Sequence, residues 1–107
     1  MPVLEANSQA EFDKLLANSK GKLVLVDFYA TWCGPCKMMG PKFHKLADEF
    51  TNAVFIKVDI DENEDVASDY DIRVMPTFIF VKDGKTIDRF EGTNEEGLRN
   101  MIESHIQ

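Results

Sequence analysis

The sequence predicts an α/β domain, a three-layer α/β/α sandwich around a central mixed sheet. Three observations carry that expectation. Leu23-Val24-Leu25-Val26 and the run from Ala53 to Val58 are apolar at nearly every position, as strands are when both faces of a parallel sheet are covered. Helical segments around them repeat their apolar residues about every 3.6 positions, the pattern of helices that bury one face. In the second half, Asp83-Gly84 separates two strand-like runs and marks an antiparallel hairpin.

Taken in order, Val3-Leu4-Glu5 suits a short edge strand. Ser8-Gln9-Ala10-Glu11 is a capping box for a helix with Phe12, Leu15 and Leu16 inward, ending near Lys20-Gly21. Lys22 to Tyr29 follows as a buried strand, interrupted by the charge of Asp27. From about Cys33 to Phe50 runs a long helix with Met39, Phe43, Leu46, Ala47 and Phe50 on one stripe. Its periodicity continues past Pro41, so a kink is expected there and not a break. Ala53 to Val58 is the next buried strand, with Lys57 set among apolar neighbours. Asp61 is expected to cap a short helix facing Val66, Ala67 and Tyr70 inward. Thr77 to Val81 and Thr86 to Glu91 form the hairpin, and Thr93 to Glu96 opens a last helix burying Leu98, Met101, Ile102 and Ile106. The order is β-α-β-α-β-α-β-β-α, with right-handed crossovers between the parallel strands.

Length and composition limit the function. At 107 residues the chain makes one domain, residues 1–107, with room for a real core. A net charge of −7, spread along the chain, argues against nucleic acid or an anionic membrane as partner. No apolar run approaches the roughly 20 residues that span a membrane. Met1-Pro2-Val3-Leu4-Glu5 lacks the basic and apolar regions of a secretory signal. The 2 cysteines fall in one motif, which is not a secreted disulfide framework. A reducing compartment is expected, the cytoplasm, with the nucleus compatible.

Both thiols lie in Ala30-Thr31-Trp32-Cys33-Gly34-Pro35-Cys36-Lys37. A ring that small removes little entropy from the unfolded chain, so its use is not stabilisation. Gly34 permits a tight turn and Pro35 suits the first turn of a helix. A thiol at a helix N-terminus meets free N–H groups and the positive end of the dipole, which favour its thiolate. Cys33 is therefore the candidate nucleophile, expected to be the more open to solvent, and Cys36 the resolving thiol. No glycine-rich phosphate loop is present, so any pyridine nucleotide or flavin must belong to a partner.

Trp32-Cys33-Gly34-Pro35-Cys36-Lys37 resembles the active site of the thioredoxin family. Asp27-Phe28, Pro41, Pro76-Thr77, Gly84 and Gly92 also fall where that family has them, so the resemblance spans essentially the whole chain. It implies the thioredoxin fold and reduction of protein disulfides, peroxiredoxin-like proteins and other oxidised proteins among them. It also implies a monomer with no bound cofactor, re-reduced by thioredoxin reductase, a flavoprotein fed by NADPH. Gly34 and Pro35 would set the redox potential. Met75-Pro76 would be a cis peptide facing the cysteines, and Trp32, Met75, Pro76 and Gly92 would form the substrate surface. Two departures stand out. Tyr29 replaces a frequent tryptophan, with an expected effect on packing and fluorescence more than on chemistry. Glu91 adds acidity to a rim that is often apolar or small.

Asp27 and Lys57 are lone charges in buried strands, where charges are rarely left unpaired. They form either a structural ion pair or a functional one. In the functional reading, which the resemblance supports, Asp27 accepts the Cys36 proton and Lys57 tunes it. Trp32 either packs in the core or flanks the nucleophile on its loop. Zinc is disfavoured, because His44 stands about 12 Å of helix rise beyond Cys36. Rival functions are an oxidase or isomerase, against which Pro35 speaks, and a redox-sensitive binding module.

Overall fold

A computed structural model describes residues 3–106; Met1, Pro2 and Gln107, which the single-domain reading includes, lie outside the described residues. The elements are β1 (Val3–Ala6), α1 (Gln9–Ala17), β2 (Leu23–Tyr29), α2 (Gly34–Glu49), β3 (Val54–Asp59), α3 (Glu64–Asp69), β4 (Thr77–Lys82), β5 (Lys85–Glu91) and α4 (Glu95–His105). Strand order across the sheet is β1-β3-β2-β4-β5. The first three strands in that order are parallel, and β4 and β5 are added antiparallel.

The continuous apolar run of β2 has the expected cause. Leu23 and Leu25 enter a core with Phe43, Leu46, Phe55 and Phe78 beneath α2 and α4. Val24 and Val26 enter a second core with Phe12, Phe28, Ile56 and Val66 beneath α1 and α3. Burial on alternate faces leaves no position for a polar residue except Asp27. Phe43 stacks on Phe78 and meets Phe55 edge-on, with ring centroids 5.7 and 5.2 Å apart. Aromatic pairs of this kind add packing energy beyond their burial.

Helix ends account for most departures from expectation. Ser8 accepts the Glu11 N–H as predicted, but Glu11 reaches back to the Asn7 N–H. Helix α1 stops at Ala17, before Lys20-Gly21. Asp61 does not cap α3; Asn63 holds that position, its amide donating to the carbonyls of Ala6 and Asp59. Asn94, not Thr93, caps α4, accepting the Gly97 N–H at 3.0 Å. In each helix the path of the backbone decides which side chain takes the cap position, and spacing alone does not. Helix α2 runs unbroken through Pro41. The hairpin turns at Asp83-Gly84 as expected, with φ of +51° and +79°, and each strand extends one residue closer to the turn than expected. Those values match the turn that follows strand twist.

Candidate active site

The turn from β2 into α2 delivers both thiols to the carboxyl end of the central strand. Cys33 is the N-cap of α2, and Gly34, Pro35 and Cys36 are its first residues. Pro35 thus sits where a missing N–H leaves no helix bond unmade. The next N–H is used: Cys36 donates to Cys33 Sγ at 3.2 Å. With the helix dipole behind it, that contact favours negative charge on Cys33. The two sulfurs are joined in a disulfide whose Cα atoms are 5.3 Å apart. Gly34 is an ordinary helical residue, and a Cβ there would meet no atom within 4 Å. Its turn freedom is therefore not what the site uses.

One expectation fails. Cys33 is not more open than its partner; the residues are 6% and 7% exposed. Tyr29, Ala30, Ile60 and Met75 close around the pair. What separates the two thiols is the N-cap hydrogen bond, not solvent access.

The cis Met75-Pro76 peptide is present, and the Met75 carbonyl oxygen lies 3.8 Å from Cys33 Sγ. Gly92 adopts φ +112°, which side chains strain to reach, and its N–H donates to the Pro76 carbonyl at 3.3 Å. Trp32 is 65% exposed, so the core-packing alternative is excluded. Its indole N–H donates to Asp61 at 2.8 Å, which is where the carboxylate expected to cap α3 is used. Glu91 accepts from Arg89 Nε at 3.0 Å, so its charge is offset locally. The same guanidinium donates to the carbonyls of Tyr70 and Asp71 at 2.8 and 2.9 Å, tying down the loop that carries Met75.

Beneath α2 is a cleft of about 270 Å³ that brings together Asp27, Tyr29, Cys36, His44 and Lys57. Asp27 and Lys57 are directly opposite on adjacent strands. No direct ion pair joins them among the described residues, and the buried Oδ1 of Asp27 has no hydrogen-bond partner. Burial, only partly offset by the Lys57 charge, pushes the carboxyl up to about 7. A carboxyl so poised exchanges its proton near neutral pH. Among the described residues, no cluster of three or more His, Cys, Asp or Glu is placed to hold a metal ion. None of the described helices is long and apolar enough to cross a membrane.

Tyr29 lines this cleft, and its hydroxyl donates to Glu5 Oε2 at 3.1 Å, a polar contact in addition to its packing. A signal existed: Tyr29 is two residues beyond Asp27 on one strand and must share its face.

Two thiols that close and open at a helix start, on a sheet of this order, define a dithiol–disulfide oxidoreductase. The family model described as Thioredoxin matches residues 3–104. Thioredoxin of Gallus gallus is 48% identical over 104 residues, covering 97% of this chain and 99% of that protein. Thioredoxin-1 of Caenorhabditis elegans is 45% identical over 98 residues, covering 92% and 85%. Among solved structures, Fasciola hepatica thioredoxin superposes with a TM-score of 0.92 at 47% identity, covering 95% of this chain and 98% of that one. The chain belongs to the thioredoxin family and works by thiol–disulfide exchange through the Cys33–Cys36 pair.

Proposed function

We propose that the chain, a single domain acting as a monomer, is a general reductase of protein disulfides in the cytoplasm. The Cys36 N–H resting on Cys33 Sγ is the observation that carries the assignment of roles. Reduced Cys33 is the thiolate that attacks a substrate disulfide, forming a mixed disulfide and releasing one substrate thiolate. Cys36 then gives its proton to Asp27 and attacks Cys33 Sγ. The Cys33–Cys36 bond forms as the mixed disulfide breaks, and the second substrate thiolate leaves. Two electrons have moved from the dithiol to the substrate. Thioredoxin reductase returns them from NADPH through its own flavin, so this chain needs no cofactor of its own.

Lys57 tunes Asp27 by charge across the strand pair, and the buried Oδ1, which has no hydrogen-bond partner, is free to take a proton. Trp32, Met75, Pro76 and Gly92 receive the substrate chain beside Cys33. Gly34 and Pro35 hold the potential low by presenting no group that would further stabilise the thiolate. Oxidised peroxiredoxin-like proteins and other disulfide proteins are the substrates, and the activity serves electron transport and redox homeostasis.

Cys36→Ser tests the order of events. With a disulfide protein substrate it is expected to accumulate a mixed disulfide through Cys33 and to lose turnover. Cys33→Ser should trap nothing. Equal trapping by the two variants, or trapping only through Cys36, would overturn the assignment.

A further inference from the structure

The charged row under α2 extends one strand further than the Asp27–Lys57 pair. Glu5 on β1 is directly opposite Lys57 on β3, and Lys57 is directly opposite Asp27 on β2. All three belong to the same face. Val3, Leu25 and Phe55, each two residues before one of them, share the core beneath α2. Lys57 therefore stands between two carboxyl groups and forms a direct ion pair with neither among the described residues. Glu5 is exposed, and its carboxylate is oriented by the Tyr29 hydroxyl, which donates to it at 3.1 Å from across the sheet.

We propose that Glu5, oriented by Tyr29, is a positioning residue that shares the charge of Lys57 with Asp27 and so governs the proton affinity of Asp27. The inference rests on the reading of Asp27 as proton acceptor only for its consequence in turnover; the coupling itself rests on register and the hydrogen bond. With Glu5 ionised, Lys57 faces two anions, and its hold on the Asp27 carboxylate is divided. Glu5 also repels that carboxylate directly across two strand spacings, about 10 Å. Both effects favour the protonated acid. The other polar groups at this cleft are Thr31 from the loop before α2 and Cys36, Lys37 and His44 from α2. Asp59, opposite Tyr29 on β3, adds a third carboxyl group to the same face, while β4 presents Phe78, which carries no charge.

The test is a carbon NMR titration of the Asp27 carboxyl in the oxidised, full-length protein, where no thiol titrates. Glu5→Gln should move the midpoint down by roughly half a pH unit, about a threefold change in acidity. Tyr29→Phe should move it the same way by less, and should add nothing in the Glu5→Gln background. A midpoint unmoved or raised in Glu5→Gln would overturn the proposal. So would a Tyr29→Phe shift as large in the Glu5→Gln background as in the parent, since the proposed route from Tyr29 to Asp27 runs through Glu5. With Lys57→Met in the background, the effect of Glu5→Gln should shrink to less than half; an undiminished effect would overturn the route through Lys57. The pH profile of mixed-disulfide resolution by Cys36 separates the two claims. If the carboxyl midpoint moves and that profile does not follow, the coupling holds and the proton-acceptor role of Asp27 is wrong.

Discussion

Replacing Asp27 by asparagine should stabilise the oxidised protein, and by an amount that depends on pH. Asp27 is 5% exposed, one oxygen has no partner, and burial raises its carboxyl from 3.8 to about 7. Below pH 3.8 both folded and unfolded chains hold the proton, and the substitution should be close to neutral. Between 3.8 and about 7 the folded chain keeps a proton that the unfolded chain has released. Stability is therefore lost as pH rises through that window, at about 1.4 kcal/mol per pH unit for one group. Above it the folded state carries a buried carboxylate, and the full cost is on the order of 4 kcal/mol. The amide of Asp27→Asn never ionises, so at pH 8 the variant should be more stable by about that amount. For a domain of this size that corresponds to a rise in Tm of roughly 15 °C or more. Urea unfolding of both proteins at several pH values between 3.5 and 8, with the disulfide closed, measures it. A stability difference that stays flat across the range would refute the buried, poorly paired carboxyl.

Two other substitutions probe the surroundings of the thiols. Arg89→Ala removes the fork that holds the Tyr70 and Asp71 carbonyls, the latter at a residue with φ +52°. It should cost about 1–2 kcal/mol and raise KM for a protein disulfide several-fold while leaving the reduction potential in place. Arg89→Lys should not restore KM, because an ammonium cannot bridge both carbonyls; an unchanged KM in Arg89→Ala would contradict the bracing role. Asp61→Ala removes the acceptor of the Trp32 indole N–H. As Trp32 is the 1 tryptophan of the chain, steady-state fluorescence anisotropy reports it alone and should fall. Anisotropy equal to that of the parent would mean that the hydrogen bond does not order the ring.

Much of this architecture was legible because the residues have few alternatives. A strand apolar on every position, such as Leu23 to Val26, must have a core on each side, and it does. Asp27 and Lys57 were visible as the two charges such strands should exclude, and register sets them opposite one another. Helix caps were less legible. Asp61 and Asn63, like Thr93 and Asn94, are chemically similar candidates a residue or two apart, and only the path of the backbone chooses between them. Exposure of Cys33 was not readable at all, since it depends on Ile60 and Met75 arriving from distant parts of the chain. The same is true of Glu5, whose bond to Tyr29 spans β1 and β2 with β3 between them. Residues that share a face are inferred from a strand's own period; the partner that crosses to them follows from strand order.

The reduction potential of Cys33–Cys36, measured by equilibrating the purified protein with glutathione, bears most directly on the claim that this chain donates electrons. The couple should be clearly more reducing than the cytosolic glutathione pool, so that the disulfide stays closed in the equilibrium mixture until a large excess of thiol is present. A potential in the range of the oxidising disulfide catalysts would contradict that claim, and would make the protein an oxidase or isomerase on the same fold.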